Sequence, residues 1–242
     1  MKQTVRLVMV AVLATAMAAF AGCEEDAGNN GNGSTNNGGG TASVGWVDLG
    51  LPSGLLWASC NVGASAPEQY GYHFAWAETQ PKRVYDWSTY AYGSDYNQLT
   101  KYCGKSALGL NGFTDNLTTL QPGDDAATAS LGSVARTPTY DEWFELMDNT
   151  TAEWITLNGV NGRKFTAANG NSIFLPDAGY RYGAELYDAG SYGYYWSASL
   201  YSITPDGAWE FGFGSDVLND QRMGRNDRCK GMSVRAVRSI QN

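Results

Sequence analysis

Histidine occurs once in this chain, cysteine four times and proline seven times. With His73 as the sole imidazole, Ser-His-Asp chemistry has one available base, and the Tyr72-His73-Phe74-Ala75-Trp76 context suits a packed core ring better than a catalyst. The cysteines show no Cys-x-x-Cys spacing and no histidine cluster accompanies them, which argues against zinc and thiol-redox sites. Positive charge is short too. Sixteen Lys and Arg face 24 Asp and Glu, for a formal net charge of −8, so a nucleic-acid partner held through its phosphates is excluded. The uncharged apolar run over residues 7–21 is shorter than the ~20 residues that span a bilayer, and no repeat period marks a solenoid. Acids are plentiful, yet no local spacing singles out the carboxylate pair that glycoside hydrolysis needs. We therefore assign no catalytic residue, metal or cofactor.

What is present begins with Lys2 and Arg6 ahead of that apolar run, the layout of an export signal over residues 1–22. Phe20-Ala21-Gly22-Cys23 resembles a bacterial lipobox, with Phe20 where Leu is usual, and this implies lipidation of Cys23 and attachment to a membrane. The other reading is an ordinary signal cleaved near Ala21, leaving Cys23 as a thiol. Glu24-Glu25-Asp26 resembles the export tag of surface lipoproteins in Bacteroidetes-type bacteria, or is a set of solvated charges. Residues 23–43 are rich in Gly, Asn, Ser and Thr, too polar to offset ordering entropy, and read as a flexible tether. About 20 such residues reach roughly 25 Å. The expected location is the outer membrane, facing the outside.

Residues 44–242 have the length of one domain. Thirty Gly together with Pro imply many turns, and 8 Trp, 15 Tyr and 8 Phe supply core material. Apolar runs at 46–49 and 55–58, joined by Gly50-Leu51-Pro52-Ser53-Gly54, predict a β-hairpin. Pro67-Glu68-Gln69-Tyr70 predicts a short helix and 72–77 a strand, followed by an irregular Tyr- and Asn-rich stretch to 123. Asp124 or Asp125 is expected to cap a helix; the two acids are too few for calcium. Thr139 with Glu142 forms a capping box before Trp143, Leu146 and Met147, whose spacing predicts a helix with one apolar face. Strands at 154–157, 163–166 and 172–175, separated by Asn158-Gly159, Asn161-Gly162 and Asn169-Gly170, predict a β-meander. Alternation over 208–213 puts Trp209, Phe211 and Phe213 on one face and Glu210 and Gly212 on the other.

Six ordered blocks carry a family resemblance: 47–58, Asn61-Val62-Gly63-Ala64, Arg136-Thr137-Pro138-Thr139, Gly179-Tyr180-Arg181, Tyr195-Trp196-Ser197 and 233–238. Together they resemble the Fibrobacter succinogenes major paralogous domain, which is itself similar to the C-type lectin-like fold of formylglycine-generating enzymes. The resemblance implies an α+β architecture, two helices with small antiparallel sheets and long loops, with the domain's ends close together. It also implies a surface lipoprotein whose C-terminal segment is in some relatives diversified by retroelements. Residues 200–230 are either such a diversified region or an ordinary variable loop. The related enzymes use closely spaced cysteines near the C-terminus to bind copper, whereas Cys229 stands alone, which argues against carrying over the activity. Cys60 and Cys103 fall in the framework, predicting a bridge between them or two reduced buried thiols, with Cys229 free.

The expected function is non-catalytic binding of an external protein or glycan. Trp196, Trp209, Phe211 and Phe213 are assigned to the core. Tyr201, Asp206, Glu210, Asp216, Asp220, Arg222, Arg225 and Asp227 are expected to be exposed and to form the binding patch. A metal-dependent oxidase-like enzyme and a structural envelope component remain as alternatives.

Overall fold

The β-branched and aromatic residues that open and close the domain pair with one another. In the computed structural model, which describes residues 44–215 and 221–240, β1 (Trp46–Asp48) and β2 (Leu55–Asn61) form the expected antiparallel hairpin. Its turn needs positive φ, and Gly50 (+64°) and Gly54 (+68°) supply it without a Cβ clash. Next come the short strand β3 (His73–Phe74), helix α1 (Ala126–Leu131), strand β4 (Ala135–Arg136) and helix α2 (Tyr140–Asn149). A meander of β5 (Thr150–Leu157), β6 (Val160–Ala167) and β7 (Ser172–Pro176) leads to a ribbon of β8 (Tyr180–Tyr182) and β9 (Glu185–Tyr187). Three long strands follow: β10 (Tyr192–Leu200), β11 (Gly207–Gly214) and β12 (Gln221–Asp227). Then β13 (Met232–Ser233) and β14 (Arg235–Ser239) end the domain. The sheet orders are β1-β2-β14-β4, β12-β11-β10-β13-β3, β5-β6-β7 and β8-β9, a mixed α+β arrangement of mostly strands. Because β1 and β14 both flank β2, the first and last strands lie in one sheet.

The capping box of α2 is formed as expected: Thr139 Oγ1 accepts from Glu142 N–H at 3.4 Å and Glu142 Oε2 accepts from Thr139 N–H at 2.8 Å. Arg136 grips the same carboxylate with both guanidinium nitrogens, at 2.7 and 2.5 Å. Glu142 is held below the ordinary carboxylate range by these bonds against the opposing effect of burial. Thus anchored, α2 drives Trp143 into the core, where it meets Trp57 edge-on at 5.0 Å and stacks on Phe211 at 4.6 Å.

Several expectations need correction. Residues 67–70 form turns, not a helix, and the strand predicted at 72–77 shrinks to β3, since Ala77 takes φ +68° and ends any extended run. Asn158-Gly159 does make the tight turn, both residues at positive φ, but Asn161-Gly162 lies inside β6. There glycine serves close approach: a Cβ on Gly162 would stand 2.3 Å from the Leu175 carbonyl oxygen. Neither expectation for Cys60 and Cys103 holds: Cys60 is disulfide-bonded, but not to Cys103. Cys103 is a free, buried thiol that donates to the Lys105 carbonyl at 3.1 Å, in a loop pinned by the Asp115 carboxylate to the amides of Tyr102 and Cys103. Cys229 is likewise free and buried. Asp125 caps α1 through Ala127 N–H and also binds Thr137, while Asp124 accepts from Tyr92, Tyr102 and Lys101. Both acids are thus occupied by protein donors. The signal over 1–22, lipidation at Cys23, the tether at 23–43, Asp216 and Asp220 all lie outside the described residues.

Replacing Thr139 with Ala removes one arm of the capping box and should lower unfolding stability by about 1 kcal/mol. Trp143→Ala should lower it by about 3–5 kcal/mol. Urea melts followed by tryptophan fluorescence and circular dichroism measure both, and equal losses from the two substitutions would contradict the wedge role of Trp143.

Candidate functional site

Period-two alternation decides what β10, β11 and β12 present on each side. The register pairs Tyr194 with Gly212 and Gly212 with Arg222; Trp196 pairs with Glu210 and Glu210 with Gly224. Residues directly opposite one another share a face. On the other face Trp209 pairs with Arg225 and Phe211 with Met223, and Phe211 and Phe213 join the core beneath α2.

The face carrying Glu210 is built from glycines with large polar neighbours. A Cβ on Gly224 would lie 2.3 Å from Glu210 Oε1, and one on Gly212 3.0 Å from Oε2, so the carboxylate lies flat across two bare backbones. A Cβ on Gly214 would lie 2.4 Å from the Tyr192 ring in the same way. Together they leave a cleft of about 340 Å³ lined by Asp188, Tyr192, Tyr194, Gly212, Phe213 and Arg222. Tyr192 and Tyr194 are stacked at 6.2 Å, and Tyr194 meets Tyr180 edge-on at 5.3 Å. Lys230 sits over the Tyr180 ring at 5.3 Å.

Glu210 is the unusual group. It is 2% exposed, its Oε2 has no hydrogen-bond partner among the described residues, and burial pushes its carboxyl up to about 7 against the opposing pull of Arg222 and Lys230. Burial likewise raises the Tyr194 hydroxyl, and the charges of Asp188 and Glu210 add to the shift. A buried acid of this kind beside an open cleft marks a candidate site. Chemically the arrangement offers aromatic faces, a guanidinium donor and carboxylate acceptors, a set suited to hydroxyl-rich or amide-rich ligands.

The residues expected to form one patch are divided by the sheet. Arg222 is exposed in the cleft, and Glu210, expected to be exposed, is buried against Gly212 and Gly224 because the face opposite Trp209 is itself covered. Arg225 faces the other way, paired with Asp206 and, at 2.7 Å, with Asp227. Tyr201 packs edge-on against Trp209 at 4.7 Å, and Trp209 against Tyr140 at 4.5 Å. Trp209, assigned to the core, is half-buried, whereas Trp196, Phe211 and Phe213 are buried. Asp216 and Asp220 lie outside the described residues. Asp188, Tyr192, Tyr194 and Lys230 were missed by sequence reasoning. The Tyr-x-Tyr alternation of Tyr192 and Tyr194 opposite Gly214 and Gly212 was the available signal.

No family model matches the chain, and no curated protein or solved structure does either. The functional reading therefore stands on the geometry of the site and the residue blocks alone.

Asp177 is a second buried acid, 0% exposed, with neither carboxylate oxygen hydrogen-bonded among the described residues and burial pushing it up to about 7. Both acids hold their proton more tightly folded than unfolded, so both favour the fold below about pH 4 and lose that contribution as pH rises toward 7. Glu210→Gln and Asp177→Asn should each raise stability by about 1–3 kcal/mol at pH 8 and change it little at pH 4. Thermal melts across that range test this, and a gain larger at pH 4 than at pH 8 would refute the assigned ionisation.

Proposed function

We propose that this protein is a surface-anchored lipoprotein whose C-type lectin-like domain binds an external glycan or protein without catalysis. The observation that carries the reading is the tyrosine-walled cleft over Gly212, with Asp188 and Arg222 in its lining. Tyrosine offers broad contact at small entropic loss, and a few placed polar groups fix orientation. A saccharide ring fits this chemistry, with hydroxyls toward Asp188 and Arg222. The fold assignment draws support from the residue blocks and from the shared sheet of β1 and β14, which brings the domain's ends together. The lipidated Cys23 and outer-membrane location draw theirs from the N-terminal pattern alone.

The copper chemistry of formylglycine-generating enzymes does not suit the residues present. Copper there is held by closely spaced thiolates, whereas Cys229 has no cysteine near it in sequence, and burial pushes its thiol up to about 12. Cys229 instead packs with Ala75, Tyr85 and Tyr90.

A glycan array probed with the exported domain tests the proposal. Arg222→Ala should weaken binding of any captured glycan about tenfold, as expected for loss of one charge-assisted hydrogen bond, while Arg225→Ala on the opposite face leaves it unchanged. Binding that survives Arg222→Ala but is lost with Arg225→Ala would move the site to the Trp209 face and overturn the cleft.

A further inference from the structure

A second cleft lies on the far side of the β8–β9 ribbon, of about 460 Å³, lined by Gly71, Tyr72, His73, Pro81, Lys82, Arg83, Tyr85 and Arg181. In a chain where acids outnumber bases 24 to 16, three cations line it and no carboxylate does. Lys82 is already engaged, bound to Glu78 at 2.8 Å and to the Thr89 carbonyl at 3.0 Å. Neither Arg83 nor Arg181 has an ion-pair partner among the described residues.

The walls are fixed. Tyr85 is 1% exposed, donates its hydroxyl to the His73 carbonyl at 2.6 Å and accepts from Lys82 N–H at 3.1 Å. Arg181 is locked by paired backbone bonds with Gly231, at 2.7 and 2.9 Å, and Tyr85 by a similar pair with Gly183. His73 Nε2 donates to the Ala178 carbonyl at 3.0 Å, and burial together with the Arg181 charge lowers its pKa to about 4, so at neutral pH the arginines supply the free positive charge. Tyr72, 53% exposed, stands at the rim. Two guanidinium groups with no carboxylate in the cleft's lining match the planar or tetrahedral oxyanions that arginine binds through paired hydrogen bonds.

We propose that this cleft, between Arg83 and Arg181, is an oxyanion-binding site for a sulfate or carboxylate group, separate from the Arg222 cleft. The anion is either free or carried on an acidic saccharide whose ring rests on Tyr72. The inference does not depend on what the Arg222 cleft binds.

Titration calorimetry at low ionic strength, where surface charge is least screened, tests it with inorganic sulfate, a sulfated disaccharide and its desulfated counterpart, and a uronate disaccharide. Sulfate or uronate forms should bind, and the desulfated sugar about tenfold more weakly or not at all. Arg83→Ala with Arg181→Ala should reduce the binding to the desulfated level, whereas Arg222→Ala leaves it unchanged. If the double variant melts early, Arg83→Ala alone, on an exposed side chain, should still weaken binding severalfold. Inorganic sulfate binding as tightly as the disaccharide assigns the site to a free anion; tighter disaccharide binding assigns it to a decorated glycan. Absence of binding by every anion, or binding indifferent to the arginine substitutions, overturns the site.

Discussion

The contact on which the rest depends is the insertion of Trp143 between two sheets. It touches Trp57 of β2 and Tyr195 and Phe211 of β10 and β11, and its Nε1–H donates to the Trp196 carbonyl at 3.4 Å. Aromatic contacts of this kind are worth about 0.5–1.5 kcal/mol each beyond buried area, and removing the ring leaves a cavity at the junction of both sheets. By fixing which side of β11 is inward, the indole also fixes which side carries Glu210, Gly212 and, across the strand, Arg222. One residue of slip would exchange the two faces, so the cleft exists only in this register.

The irregular half of the molecule is held by arginine. Arg228 is fully buried and, among the described residues, has no carboxylate bonded to it; it donates to Tyr90 Oη and to the carbonyls of Tyr102, Pro205 and Lys101, and lies over the rings of Trp76 and Tyr90. Arg235 does the same between sheets, reaching Asn61, the Ala58 carbonyl and the Phe174 carbonyl. Burial lowers Arg235 to about 10, still charged at neutrality. A buried cation without a counter-ion is tolerable only when carbonyl dipoles and ring quadrupoles replace water on nearly every donor, and five of the bonds go to backbone oxygens. Arg228 thereby satisfies the loop carbonyls of Lys101, Tyr102 and Pro205, helping 78–123 stay irregular and ordered, while Arg235 ties strand carbonyls of β2 and β7 together.

Local signals in the chain were readable where one residue's chemistry sets its own geometry. Thr139 with Glu142, Asn158-Gly159 and the period-two run at 208–213 carry their meaning within a few residues, and each appears in the fold. What depended on distant neighbours did not show. Asn161-Gly162 has the dipeptide of a turn, yet the approach of Leu175 and Phe174 makes Gly162 a strand residue. Pro67-Glu68 has the first turn of a helix, but Gln69 folds back to accept from Ser65 N–H at 2.9 Å and closes a loop instead. Nothing adjacent in sequence to Arg228 or Arg235 announces the carbonyls they bind. Alternation correctly placed Glu210 opposite Trp209; it is silent on whether a second layer covers that side.

That second layer gives the buried acids different meanings. Glu210 and Asp177 share the same penalty, a carboxyl held near pH 7 with unsatisfied oxygens. A chain selected for stability alone gains by replacing both, since an apolar or amide side chain of equal volume avoids the desolvation. Glu210 lies against Gly212, which lines the cleft: Gly212 and Gly224 carry no Cβ where its carboxylate lies, and Tyr194 and Arg222 pair across Gly212. Gly212 and Gly224 have thus given up side chains to seat one unfavourable group, and a stability argument accounts for neither.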